Sequence, residues 1–476
     1  MAKKKNPILI SFVNEPAAET VTGSLVHVQV GKYNILLDAG FYQSANVLED
    51  YKINNRTLKS LKMKNIDYVI LSHNHGDHIF YAPILYKRNC KAEVLVPHQA
   101  STLLKIMLDD CAHINEKDAA YLSSREGRDY LPLYTKDDVA HFMSYVKELP
   151  IRSKVKLNEC ISVEFIPSGH LLKGCQVVLY IKDGGQTKKI LYTGDLGNKN
   201  LRQPFTEKFE SVNSATIVIG ESTYSKSKNA VINFDTRTDD LELIENIVQN
   251  RIIQQNGRVL FPVFAQARAE TVLYLLYKLY GNDDDFRTKI YVDSPLACRI
   301  FKAYENLLSG KDAQLFKKMT QWGNVHYITE AEDSINLVAS DEPCIILSSS
   351  GMCSNGRVRY HLKSLLGDQN ATVIFTGYST EGSLAWKIRN GDKIVMVDNE
   401  EVVVRCEWKN LSSLSSHIPY DGMIDYYTNI RCDVLVLHHG NQNSKWQLKE
   451  DLELAFEQKY LTTKVIASDK NMTIEI

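Results

Sequence analysis

Apolar and polar side chains alternate from Leu25 to Asp38 across a Gly31-Lys32 turn, a period of two that predicts a β-hairpin. Apolar runs at 66–71, 92–96 and 161–167 predict further strands, and Cys175 to Thr193 reads as a second hairpin around Asp183-Gly184-Gly185. Between them, residues 100–148 read as helical, with Leu103-Leu104, Met107-Leu108 and Cys111 at helical spacing. After about residue 212 the pattern becomes a strict alternation. Strand-like runs at 216–220, 259–264, 289–292, 344–348 and 372–376 are separated by helical stretches at 241–252, 269–279, 296–308 and 357–366. Alternating βα units predict a doubly wound parallel sheet with helices on both faces and a ligand site at the carboxyl ends of its strands. Strands near 394–408 and 432–438, a helix at 443–458 and a terminal strand pair are expected to rejoin the first domain. The prediction is therefore an α/β protein in which residues 1–212 and 393–476 form one domain and residues 213–392 a second, inserted one.

Chemistry enters at the strand ends. Directly after Tyr68-Val69-Ile70-Leu71 stand His73-Asn74-His75-Gly76-Asp77-His78, four metal-capable side chains in six residues. Imidazole and carboxylate suit zinc first, and also manganese or iron. In an extended loop His73 and His75 point to one side, while Asp77 and His78, where a helix begins, turn to another; one hexapeptide can thus serve two adjacent ions. Thirteen histidines in 476 residues make a chance cluster of three beside an aspartate rare. Other predicted strands also end in a ligand type: Asp38, His170, Asp195, and His438-His439. Singly, each is an ordinary turn former or packed residue; together they point to one metal site.

His73 to His78, with Asp38, His170 and Asp195, resembles the ligand set of the metallo-β-lactamase superfamily. Gly220-Glu221-Ser222-Thr223-Tyr224, Phe261-Pro262-Val263-Phe264-Ala265, Ser349-Ser350-Gly351-Met352, Gly377 to Gly382, Ser415-Ser416-His417 and His438-His439-Gly440 narrow the likeness to the β-CASP nucleases. That branch includes the endonuclease subunit of the cleavage and polyadenylation specificity factor, ribonuclease J and short bacterial RNA-processing relatives. The resemblance implies an αββα metallo-β-lactamase sandwich with an inserted β-CASP domain. It further implies two divalent ions: His73, His75 and His170 on one, Asp77, His78 and His439 on the other, Asp195 bridging them. By the same resemblance Asp38 orients a ligand histidine, and Asp77 and Asp195 join in catalysis by holding the ions that activate water. His417 is expected to be the general acid, held by Glu221. His438, on the opposite face of its strand from His439, is expected to be structural. Ser349, Ser350 and Gly351 offer an anion-binding loop, and Arg268, Arg357 and Tyr378 are expected RNA-backbone contacts. Three positions depart from the family pattern: Asn74, the Ile418-Pro419-Tyr420 that separates His417 from Asp421, and Asn441 after His439-Gly440.

Composition adjusts this picture only slightly. Apolar residues at 44% and charged ones at 24% describe a globular chain, and no apolar run approaches a membrane span. The stretch Ile8 to Val13 is too short for a secretory signal. Nine scattered cysteines with no Cys-x-x-Cys pair fit reduced thiols in a cytoplasm. A net charge of −1 is low for a nucleic-acid binder, so charge near the site has to attract a phosphate chain. With no separate module after residue 476, a cleft between the two domains is expected to bind the polymer. A metal-dependent ribonuclease is the favoured reading; a DNA nuclease of the same fold and a small-molecule ester or lactone hydrolase are the alternatives. By resemblance, histidine at position 439, where DNA-processing relatives carry valine, favours RNA. The sequence leaves open a homodimer or a place among processing-complex subunits.

Overall fold

The protein is represented by a computed structural model that describes residues 7–13, 19–56, 58, 61–200, 202–225, 237–377, 379–411, 413–470 and 472–476. It divides into two compact units, Met1–Arg202 with Thr206–Val231 and Ser416–Ile476, and Gln203–Phe205 with Ile232–Ser415.

The first unit holds two seven-stranded sheets. One orders its strands Thr473–Glu475, Ile8–Phe12, Val26–Val30, Tyr33–Leu37, Tyr68–Ile70, Glu93–Pro97 and Val146–Leu149. The other runs Lys464–Ala467, Val434–His438, Ile217–Glu221, Gln186–Tyr192, Cys175–Asp183, Ile161–Pro167 and Val155–Lys156. Strands Val26–Val30 and Ile161–Pro167 alternate buried and half-buried positions, so each presents an apolar face. Val26, Val28, Ile35 and Ile70 of one sheet pack with Ile161, Val163, Phe165 and Val177 of the other in a continuous core. Helices Ala82–Lys87, Ser101–Glu126 and Lys136–Met143 cover the outer face of the first sheet. Tyr420–Thr428 and Gln442–Gln458 cover the second. Four layers result, the αββα sandwich.

The second unit is built on a six-stranded sheet in the order Val325–Tyr327, Lys289–Asp293, Cys344–Ser348, Arg258–Pro262, Thr372–Phe375 and Glu407–Asn410, every neighbouring pair parallel. Cys344–Ser348 and Arg258–Pro262 are buried at every position, as central strands between helical layers must be.

Several boundaries differ from those predicted. Strand Ile217–Glu221 belongs to the sandwich, parallel to both Gln186–Tyr192 and Val434–His438. Its five buried residues look like any central parallel strand, so the pattern alone assigned it to the inserted unit. Ile394–Val397 and Glu400–Val403 form a separate hairpin, and Glu407–Asn410 is an edge strand of the six-stranded sheet; residues 393–415 therefore lie in the second unit. The polar strand Glu407–Asn410 carries little periodicity to place it, and the alternation of Ile394–Val397 does not say which sheet it joins. The helical stretch predicted for 100–148 breaks after Glu126, restarts at a Thr135–Asp138 capping box and ends in strand Val146–Leu149. Among the described residues, no helix is long and apolar enough to cross a membrane.

Candidate active site

Every metal-capable residue named above stands just past, or at, the carboxyl end of a sandwich strand. Asp38 follows Tyr33–Leu37, and the His73 to His78 loop follows Tyr68–Ile70 and turns into the short helix Gly76–Ile79. His170 follows Ile161–Pro167, Asp195 follows Gln186–Tyr192, Glu221 closes its own strand, and His439 follows Val434–His438. Parallel neighbours end at the same edge, so residues far apart in sequence converge.

Asp195 is their common centre. Its Oδ2 lies 3.4 Å from His73 Nε2 and 3.5 Å from His170 Nε2; its Oδ1 lies 3.2 Å from His78 Nε2 and 3.4 Å from His439 Nδ1. Asp77 Oδ2 is 3.2 Å from His439 Nε2, and His75 Nδ1 is 3.1 Å from His170 Nε2. The ligand-type atoms fall into overlapping sets: His73, His75, His170 and Asp195; Asp77, His78 and His439; Asp38, His73 and His78; and Asp195, Glu221 and His417. Within each set the atoms lie within 4.8 Å of one another.

The surrounding hydrogen bonds determine which nitrogens face inward. A carboxylate and a carbonyl only accept, so His78 Nδ1–H donates to Asp38 Oδ2 at 2.6 Å and His170 Nδ1–H donates to the Ser416 carbonyl at 3.0 Å. Ser72 Oγ donates to Asp38 Oδ2 at 2.7 Å, which leaves it to accept from His73 Nδ1 at 2.9 Å. Thr223 Oγ1 meets His439 Nδ1 at 3.1 Å. In His73, His78 and His170 the other nitrogen, Nε2, then points to the cluster, while His439 turns Nε2 toward Asp77 and His78 and keeps Nδ1 3.4 Å from Asp195. This is the usual support of metal-ligating histidines. Ser72 and Thr223 were not singled out in the sequence, although one precedes His73 and the other lies in the quoted Gly220 to Tyr224 motif.

The cluster fits divalent cations on its own chemistry. His73 Nε2 and Asp195 Oδ1 are buried with no hydrogen-bond partner, an arrangement that buried polar atoms avoid unless an ion satisfies them. Burial opposes a charged His78 ring, yet the carboxylates of Asp195, Asp38 and Asp77 outweigh it and lift its pKa well above the imidazole range. Burial likewise opposes ionisation of Asp195, but His439, His78 and His73 hold its carboxyl well below the usual range. His75 is driven down to about 3, first by burial and then by His73, so it is neutral and able to ligate. The residues that would hold one ion are His73, His75 and His170, those for the other Asp77, His78 and His439, with Asp195 between.

His417 is placed differently. Its Nδ1 meets Glu221 Oε2 at 3.1 Å, and its Nε2 stands 3.9 Å from Asp195 Oδ2. Glu221 is itself held, its Oε1 accepting from the Leu196 amide. Burial lowers the tendency of His417 to protonate, but Glu221 and Asp195 outweigh it, so its pKa is raised. A proton on this ring is therefore stabilised next to the cluster. His438 belongs to none of the ligand sets; its Nε2 meets Ser24 Oγ at 3.1 Å, and its ring centroid lies 5.0 Å from that of Phe12.

The expected phosphate contacts lie in the second unit. Ser349, Ser350 and Gly351 follow strand Cys344–Ser348; Ser350 N and Oγ both bond the Asn355 carbonyl, and Gly351 packs on Phe264. Arg268 is buried at the start of helix Ala269–Tyr280, beside Gly377. Arg357 pairs with the buried Asp293 at 2.8 Å and bonds the carbonyls of Ile328 and Thr329, so its guanidinium is already engaged inside the unit. Tyr378 lies outside the described residues.

Comparison with known proteins agrees with this architecture. The model of the metallo-β-lactamase superfamily matches residues 21–140, and the model of the β-CASP domain matches residues 269–388. Ribonuclease TTHA0252 of Thermus thermophilus is 28% identical over 92% of this chain and 95% of its own. An RNase J-like protein of Methanocaldococcus jannaschii is 29% identical over 88% of this chain and 90% of its own. Endoribonuclease ysh1 of Schizosaccharomyces pombe is 26% identical over 96% of this chain but only 57% of its own. A crystal structure from Enterococcus faecalis, of a protein whose function is unknown, shares the fold with a TM-score of 0.54 at 12% identity, covering 99% of this chain and 100% of that one. With the αββα sandwich, the inserted parallel-sheet unit and the metal-capable strand ends in place, the chain belongs to the β-CASP branch of the metallo-β-lactamase superfamily.

Proposed function

We propose that this protein is a metal-dependent ribonuclease that hydrolyses RNA phosphodiester bonds. The observation that carries the reading is the double environment of Asp195. A seven-residue ligand cluster stands on one side, and a histidine–glutamate pair outside that cluster stands within 3.9 Å. The first suits activation of water; the second can protonate an alkoxide leaving group, as cleavage of an RNA phosphodiester requires. The relatives reported above are named as ribonucleases, which favours RNA as the polymer. A pair of divalent ions, zinc first with manganese or iron as the other candidates, would supply an activated water and neutralise the charge of the phosphate.

The chain's own residues divide the remaining work. Asp38, Ser72 and Thr223 keep the ligand rings in one tautomer. Glu221 accepts from His417 Nδ1, leaving Nε2 to carry the proton toward the leaving oxygen. Ser349, Ser350, Gly351 and Arg268 are assigned to the RNA backbone. Nine unpaired cysteines, six of them buried, suit a reducing compartment such as the cytoplasm.

The test uses end-labelled RNA and DNA of equal sequence, with metal content measured on the same preparations. His417→Ala should keep its metal and lose about 10²–10⁴ in turnover; His78→Ala should lose metal. Cleavage of DNA alone would assign the nuclease to the other polymer, and near-normal cleavage by His417→Ala would refute the acid role.

A further inference from the structure

Behind the ligand cluster runs a buried chain of side chains whose three outer members, His438, Ser24 and Tyr192, the proposed reaction does not use. His438 Nε2 meets Ser24 Oγ at 3.1 Å, Ser24 Oγ meets Tyr192 Oη at 2.9 Å, and Tyr192 Oη donates to Asp38 Oδ2 at 2.7 Å. Asp38 Oδ2 in turn accepts from His78 Nδ1 at 2.6 Å. All five residues are buried, none more than 3% exposed. We propose that His438, Ser24 and Tyr192 are positioning residues that, through Asp38, hold His78 in the orientation a metal ligand needs. The proposal rests on the reading of the cluster as a metal site.

The direction of the chain follows from proton counting. The Asp38 carboxylate can only accept, so the Tyr192 hydroxyl proton is committed to it. Tyr192 oxygen must then accept from Ser24 Oγ–H, and Ser24 oxygen must accept from His438 Nε2–H. Each hydroxyl has one proton, and the order cannot be reversed while Asp38 is ionised. His438 Nδ1 is left as a bare acceptor, which agrees with its having no hydrogen-bond partner among the described residues.

A merely packed residue would not look like this. The His438 ring lies against Phe12, a place where leucine would avoid both the desolvated Nδ1 and the loss of its hydrogen bonds to water. What leucine cannot do is donate to Ser24. The chain also joins the elements that carry the ligands. Ser24 donates its backbone N–H to the Asp77 carbonyl at 2.8 Å and accepts from Gly40 N at 3.0 Å. Tyr192 ends the strand that leads to Asp195, and His438 directly precedes His439. The Asp38 carboxylate is oriented by four donors: Ser72 N and Oγ, His78 and Tyr192. Removing the Tyr192 donor leaves the carboxylate three of its four donors and so loosens the support of the His78 ring.

The experiment compares full-length wild type with Tyr192→Phe, Ser24→Ala, His438→Leu and His438→Gln. Cobalt(II) is titrated against a chromogenic chelator, the visible spectrum of the cobalt-loaded protein is recorded, and thermal midpoints are measured separately. Loss of outer hydrogen-bond partners typically weakens metal binding by about 10–100-fold. Tyr192→Phe should therefore weaken the second cobalt by about tenfold, with Ser24→Ala and His438→Leu weaker by a smaller factor. His438→Gln should stay within about twofold of wild type, because the glutamine amide nitrogen replaces the Nε2 donor. Tyr192→Phe combined with His438→Leu should be no worse than Tyr192→Phe alone, since both cut one chain. A lowered midpoint for His438→Leu with unchanged cobalt affinity and spectrum would overturn the proposal, as would His438→Gln behaving like His438→Leu. Wild type that binds no cobalt would overturn the metal reading itself, and the positioning role with it.

Discussion

Single side chains decide what the site can do and what the chain tolerates. Asp195 lies between both ligand sets, within 3.5 Å of His73, His78, His170 and His439. Asp195→Ala should therefore remove both ions, whereas His75→Ala should remove one; elemental analysis after gentle dialysis distinguishes them. Lys445 offers a prediction away from the chemistry. It is buried, donates to Ser468 O and Oγ, and burial pulls its pKa from 10.5 down to about 8. The unfolded chain then binds more protons than the native one between these values, so stability should rise with pH from about 8 to about 10.5. Lys445→Met should flatten that rise and add about 1–2 kcal/mol at pH 7, after allowing for the acceptors it leaves unmet. Thermal unfolding at a series of pH values reads both effects.

Elements position those side chains by close approach. A Cβ on Gly197 would lie 2.1 Å from the Gly169 carbonyl oxygen and 2.7 Å from His170 N, and backbone on that side cannot yield as a side-chain tip could. Gly197→Ala should push the His170 loop aside, lower metal content and cost about 2–3 kcal/mol in a thermal melt. In the second unit, Asp293 ends its strand fully buried and accepts from Arg357, His361 at 2.7 Å and Ser334 at 2.6 Å. Arg357→Ala would leave that carboxylate short of its cationic partner, at a cost of about 3 kcal/mol. The expected outcome is a lower thermal midpoint with unchanged RNA affinity, read by melting and by filter binding. The hexapeptide His73 to His78 is legible as a candidate metal loop because strand, ligand-type residues and helix start are contiguous. Ser72 and Thr223 are not, because a hydroxyl becomes a ligand support only when another strand brings an imidazole to it.

For the whole molecule, all seven residues proposed as ligands lie in the first unit, so chelation should lower its thermal midpoint by mass action, with the ions restoring it. Circular dichroism during titration with a chelator, then with zinc, checks this. RNA affinity should fall by at least about tenfold between 50 and 200 mM salt if several phosphates are contacted. A flat response would return the protein to the small-ester class.

Local rules made the αββα-plus-insert architecture readable: period-two alternation marks Val26–Val30 and Ile161–Pro167, buried apolar runs mark parallel strands, and ligand types recur at their ends. Those signals lie within a few residues of one another. Strand order does not. Ile217–Glu221 has the same all-buried pattern as Arg258–Pro262, and only its pairing with Gln186–Tyr192 and Val434–His438 assigns it to the sandwich. Likewise, alternation correctly turned His438 away from His439, yet it could not reveal Ser24 and Tyr192 waiting on that side. Hydrogen-bond partners depend on which backbones lie side by side after packing, and that is a property of the folded sheets rather than of any stretch of chain.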